Sequence, residues 1–429
     1  MRRLTFIHEG EQGAIAMIVA MLFGFGVMIS LAALTVDVGN INADRRQLQN
    51  GADAAVLSAA SDCAKGACPS PGDAGLANLA DKNAADGATK ISRVDNVGPA
   101  VCGSGPNLAD CPLVAAPNTR NLQECPAASA LPAGAQGYVR VYTQTLDATR
   151  TKTLLPYLFG AAITGAGSGA NQQTCAAAAW GNARVTPLTP FTFSACEWYH
   201  DTLQDNDPLK TNPPYGYAPY TLSTLSPPQS DPRNNPWEHA INLNSGTDPG
   251  CTNWQNHDFP GGFGWLDYDP ATCKVADPVP AYTAGVVDGY WYPGDTGVGA
   301  GNQCGAKIEA AVGSVIYLPI FDCADNDTRT WPCAGNLPNG TNAWYHMKGA
   351  VAFFLTGVEI TGQLTKDFDN SINGSSTNYP GHNASAECRT AAGEKKCLFG
   401  WFLEGLQDPT AVIDGSALDT GLKAFQMIG

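Results

Sequence analysis

The chain has 429 residues, of which 44% are hydrophobic and 15% charged, with 47 glycines and 30 prolines. That is enough apolar material for two or three domains, and the glycine and proline content favours loops, turns and short strands over helix bundles. The formal net charge of -15 speaks against nucleic acid and anionic lipid head groups as electrostatic partners.

Residues 1–13 read as a short tail. Arg2, Arg3, Glu9 and Glu11 cancel there, so the negative excess lies further on. Residues 14–36, AIAMIVAMLFGFGVMISLAALTV, are 23 residues without a charge. As a helix they span about 35 Å, which predicts a transmembrane segment across a hydrocarbon core of about 30 Å. A cleaved signal peptide has a shorter apolar core, of about 7–15 residues. Arg2 and Arg3 favour an inside N-terminus, while Arg45 and Arg46 pull the other way. All fourteen cysteines lie at or after Cys63 and suit an oxidising compartment. The expected location is therefore a cell membrane, crossed once, with a cytoplasmic tail and an extracytoplasmic bulk. Residues 37–62 continue as a helical stalk. Val38, Ile41, Leu48, Ala55 and Val56 recur near helical spacing, with Asp44, Arg45, Arg46 and Gln49 between them. Such a helix packs on its own domain or along sister helices, and the residues leave both open.

Residues 63–185 form an expected first extracytoplasmic domain. Its early part, 61–135, reads as a disulfide-laced excursion, and GYVRVYTQT at 137–145 alternates like a half-buried strand. Residues 186–429 form an expected second domain, cysteine-rich and dominated by strands. There, 201–236 read as a long surface loop, and 312–323 and 347–360 are apolar, β-branched or aromatic strand candidates. The closest cysteine pairs are Cys63/Cys68, Cys102/Cys111, Cys323/Cys333 and Cys388/Cys397, the candidate disulfides, although sequence does not fix connectivity. No CxxC pair or tight Cys/His cluster suggests structural zinc.

From Gly10 to Ala60 the residues resemble the N-terminal region of the Tad (tight adherence) pilus-assembly family, TadG-like proteins. The resemblance rests on Gly13-Ala14-Ile15-Ala16 opening an apolar helix and on Thr35-Val36-Asp37-Val38-Gly39-Asn40. It continues through Arg46-Gln47-Leu48-Gln49-Asn50-Gly51-Ala52-Asp53-Ala54-Ala55. It implies an anchor and assembly helix carried by Gly13, Ala14, Ile15, Ala16, Asp37, Gly39, Arg46, Leu48, Gln49, Ala52, Asp53 and Ala55. It also implies a role in Flp-type pilus assembly. A prepilin cut after Gly10 would put Ile15 where pilins carry glutamate, so pilin processing is not expected. The metal motif of some relatives has only a near match here, DGSAL at 414–418.

Signs of chemistry are sparse. His8, His200, His239, His257, His346 and His382 show no HxxxH or HExxH spacing, and neither GxSxG nor a phosphate-binding loop occurs. DCADNDTRTW, with Asp322, Asp325, Asn326 and Asp327, reads as a hydrated turn rather than a calcium loop. GGFGWLDYD reads as a glycine turn feeding a core tryptophan, Trp265, rather than a sugar platform. No catalytic residue, cofactor or metal is expected. The expected fold class is α+β: a long, pilin-like transmembrane and stalk helix followed by disulfide-rich, mainly β extracytoplasmic domains. The expected function is non-enzymatic, a structural component of Flp/Tad pilus assembly acting by helix packing and by presentation of exported domains. Expected partners are pseudopilin-like assembly proteins and the lipid bilayer, possible surface ligands being unknown. The alternatives are a membrane-tethered adhesin or binding module, and a tethered secreted hydrolase.

Overall fold

The computed structural model describes residues 11–70, 72–84, 87–93, 98–111, 131–146, 153–159, 169–184, 188–195, 218–219, 239–242, 263–269, 278–283, 286–295, 304–326, 343–360, 364–367, 396–404 and 411–428, with isolated positions at 149, 198, 202, 273, 275 and 329. The chain divides into two compact units. Unit 1 comprises Met1–Ala130, Tyr138–Ala178 and Met427–Gly429, and unit 2 comprises Leu131–Gly137 and Ala179–Gln426.

Unit 1 is built on one helix, α1, Glu11–Ala64, 54 residues long and so about 80 Å. No proline interrupts it. It stops at Gly66, whose φ of 80° reverses the chain. The Gly66 amide then bonds the Cys63 carbonyl and the Ala67 amide bonds that of Asp62, which satisfies two of the last free carbonyls. A second helix, α2, Ala74–Asn83, is capped by Asp73, whose carboxylate accepts from the Leu76 amide at 3.0 Å. It lays Leu76 and Ala80 inward. Gly51 of α1 faces Ala80 so closely that an added Cβ would sit 2.9 Å from the Ala80 carbonyl oxygen.

Strands β1 (Thr89–Ile91) and β2 (Val101–Gly103) pair antiparallel with β3 (Gly137–Thr145). A two-stranded ribbon, β4 (Leu155–Pro156) with β5 (Gly169–Ala170), stands apart from that sheet. β6 (Gln173–Arg184) begins in unit 1 beside β3. β3 differs from the half-buried reading, because all but Tyr138 of its nine residues are buried. Thr143 and Thr145 turn to α1. On the opposite side Tyr142 packs with Cys102 and Cys175 and lies under the Arg93 guanidinium. The excursion at 61–135 holds α2, β1, β2 and the disulfides Cys63–Cys68 and Cys102–Cys111.

Unit 2 is a β structure. Its strands are β7 (Phe191–Ser194), β8 (Ala218–Pro219), β9 (His239–Asn242), β10 (Phe263–Leu266), β11 (Val279–Thr283), β12 (Val286–Asp295), β13 (Ser314–Asp325), β14 (Ala343–Ile360), β15 (Leu364–Asp367) and β16 (Lys396–Glu404). They make a ten-stranded sheet in which β12, β10, β7, β13 and β14 follow one another, and β14 pairs back to β12. That pairing closes a five-stranded barrel, in which each of the five strands has a neighbour on both sides. Pairings are antiparallel except β13 with β7 and β16 with β8. The strands expected at 312–323 and 347–360 are β13 and β14, joined over most of their lengths. Phe191, Phe193, Trp265, Leu318, Phe353 and Phe402 fill the core, which Ile308 of α3 (Gly305–Ala311) covers. Trp265 is a core residue of β10, 1% exposed. The end of β6 pairs with β17 (Val412–Ile413), and β18 (Lys423–Met427) also pairs with β6. Buried Lys423 gives its ammonium to Gln136, Asn182 and Asp419.

The expected fold class is corrected. Among the described residues no helix is long and apolar enough to cross a membrane. The rest of the described chain is mostly strand, with a five-stranded barrel in unit 2, because aromatic and β-branched residues dominate its apolar runs. The loop expected at 201–236 lies almost wholly outside the described residues, as do His8, His200, His257, His382, Cys333 and Cys388.

Candidate assembly surface

α1 changes character along its length. Residues 16–28 are all exposed, with Leu22 at 68%, Phe23 at 72% and Met28 at 71%. From Asp37 onward one stripe is buried: Asp37, Asp44, Leu48, Ala52, Ala55, Ala59 and Cys63. Those steps of three, four and seven residues keep to one helix face. The stripe docks the helix on unit 1 by polar and apolar contacts together. Thr145 Oγ1 donates to Asp44 Oδ2 at 2.8 Å, and Thr143 Oγ1 donates to the Leu48 carbonyl at 3.0 Å. Gln49 Nε2 reaches Asp53 Oδ1 and the Cys175 carbonyl. Small side chains at 52, 55 and 59 let the neighbouring elements approach closely.

Asp37 is 6% exposed. Its Oδ1 accepts from the Leu158 amide at 2.8 Å, and Phe159 donates to both oxygens at 3.3 Å. A buried carboxylate so bonded has exchanged water for fixed donors. At the far end of the helix, burial raises the Asp62 carboxyl above its ordinary value; Lys65 opposes this and Asp73 adds to it.

The residues singled out in the sequence fall into three groups. Asp37, Leu48, Gln49, Ala52, Asp53 and Ala55 meet unit 1 or one another on the docking side. Ala16, Gly39 and Arg46 are exposed, and a Cβ at Gly39 would meet nothing within 4 Å. Gly13, Ala14 and Ile15 lie in the first turns of α1, their side chains outside the described residues. Of the cysteines, Cys63–Cys68 and Cys102–Cys111 are bonded pairs, and Cys323 and Cys397 are also disulfide-bonded. A longer link, Cys273–Cys304, was not among the candidates, since 31 residues separate its ends. Asp44 was not singled out either, though its spacing of seven from Asp37 was a usable signal.

In unit 2, Asp322, Cys323 and His346 bring potential ligand atoms within 4.8 Å of one another. The Cys323 sulfur is committed to a disulfide. His346 Nδ1 meets Asp322 Oδ1 and Nε2 meets the Asp288 carbonyl, each at 2.6 Å. Lys348 pairs with the Asp288 side chain. His346 has no exposure, so the cluster fastens β12, β13 and β14 together. Asp414 of DGSAL accepts from the Ser416 amide and hydroxyl and pairs with Arg184.

The segment that holds both the exposed run and the docking stripe matches a family model, described as "Putative Flp pilus-assembly TadE/G-like", over residues 13–62. This chain carries a Tad module. The module ties the protein to Flp pilus assembly, to the cell envelope and, in general, to other pilus-assembly components. No curated protein and no solved structure matches the chain. Unit 2 lies wholly outside the Tad match.

Proposed function

We propose that this protein is a structural, non-catalytic component of Flp/Tad-type pilus assembly, held at the membrane of the cell envelope by the apolar part of α1. One observation carries the reading. Within the single Tad module, the C-terminal part of α1 is docked on its own unit, while the N-terminal part offers uncovered apolar side chains. A helix apolar on every face calls for surroundings that are apolar on every side. Helices of other assembly components and lipid together supply them. The two units then sit on the oxidising side, where Cys63–Cys68, Cys102–Cys111 and Cys273–Cys304 keep their bonds.

The test is made in the cell that produces the protein. Leu22→Lys with Phe25→Lys should release the protein from the membrane fraction and reduce the number of surface pili. Undiminished piliation by the released variant overturns the reading.

A further inference from the structure

Near the buried end of the exposed run, the chain presents a second apolar element. The loop at 153–159, Thr-Leu-Leu-Pro-Tyr-Leu-Phe, contains no charge. Leu154, Leu158 and Phe159 are exposed, Leu158 at 63% and Phe159 at 49%. Exposed leucine and phenylalanine on a loop tip are costly in water, since each leaves apolar surface hydrated. This tip is fixed in place by its two amides, of Leu158 and Phe159, on the Asp37 carboxylate. Asp37 is the first charged residue after the uncharged run 14–36.

We propose that the 153–159 loop is a second lipid contact, an apolar foot that rests in the membrane surface beside α1, with Asp37 as its positioning residue. The inference rests on the membrane attachment of α1 proposed above. Three observations favour lipid over a protein partner. Residues 16–28 carry no charge and are apolar on every side of the helix, whereas a helix that packs on a single partner needs only one apolar stripe. The Leu158 and Phe159 amides bond the carboxylate of Asp37, whose neighbours in the helix, Val36 and Val38, are apolar and exposed. The carboxylate that would be costly at the edge of an apolar layer is masked by two peptide amides and is buried. The loop thus covers the charge and adds apolar contact at the same depth. Leu, Phe and a neighbouring Tyr157 are residue types suited to that boundary.

The experiment uses the full chain reconstituted in phosphatidylcholine vesicles containing a photoactivatable phosphatidylcholine. Cross-linked peptides are identified by mass spectrometry. Lipid adducts are expected on α1 between 16 and 38 and also on the peptide carrying 153–159. Asp37→Ala should lower the loop adducts severalfold while leaving those on α1, and Asp37→Asn, which keeps an oxygen acceptor, should restore most of them. Adducts on α1 with none on the loop overturn this proposal and leave the attachment of α1 standing. Adducts on neither overturn both. Loop cross-links to a second protein chain in place of lipid make the loop a protein-docking element and overturn the lipid assignment.

Discussion

Gly51 shows how one side chain too many is felt in unit 1. The stretch it belongs to is otherwise rich in alanine, and alanine in place of glycine adds about 1 kcal/mol of helix propensity. Here the added methyl would meet the Ala80 carbonyl oxygen at 2.9 Å, and backbone yields less readily than a side-chain tip. Overpacking of this kind costs about 1–3 kcal/mol. Gly51→Ala is therefore expected to lower the thermal midpoint despite the better helix former; a raised midpoint would mean that α2 moves aside freely. Asp62 gives a prediction of opposite sign. Burial is the main cause of its raised pKa, so folding favours the protonated form. Its contribution to stability is complete below the unfolded pKa of about 4 and is lost as pH rises through the higher folded value. At neutral pH the ionised carboxylate opposes folding, by less than about 1 kcal/mol because much of it is still solvated. Asp62→Asn should stabilise the protein at pH 7 and make no difference near pH 3, as followed by denaturant unfolding at the two pH values.

Among the elements, β14 is the one on which unit 2 depends. It pairs with β12, β13, β15 and β16, and His346 is where three of the barrel strands are fastened by side chains. His346→Leu would leave the Asp322 carboxylate, only 7% exposed, without its imidazole. Leaving a buried polar group without its hydrogen-bond partner costs about 1–3 kcal/mol, whereas replacing both partners with apolar residues is far milder. The double variant His346→Leu with Asp322→Leu should therefore recover much of the loss; equal damage in the single and double variants would assign the cost to packing alone. α1 poses a different problem as an element. Its helical periodicity, its alanines and the heptad from Asp37 to Asp44 were all visible in the residues. Which carboxylate would be buried was not, because the bonding groups come from Thr145 and from the Leu158 and Phe159 amides, more than a hundred residues away.

At the scale of the molecule, the two units are not two consecutive pieces of chain. Met427–Gly429 belong to unit 1 although the preceding residues belong to unit 2. Ile428 is buried, and its amide bonds the Ala177 carbonyl. Removing Met427–Gly429 should reduce hydrogen-exchange protection of β3 and of the first half of β6, leaving β13 and β14 protected. Equal loss in both units would mean that they unfold as one.

What the sequence determined by itself was local. The resemblance of residues 10–60 to Tad proteins, the long proline-free helix, the strands around 312–323 and 347–360, and two short cysteine loops all follow from patterns within a few turns or strand lengths. The transmembrane reading came from the same local information, an uncharged run, and the described helix does not bear it out. The tertiary structure decided what depends on distant partners. It closed five strands into a barrel through β12 and β14, buried both faces of β3, joined Cys273 to Cys304 and covered Asp37 with a loop. A composition or a period can say that a residue seeks apolar surroundings or a hydrogen bond. Only the folded chain can say which distant atoms provide them.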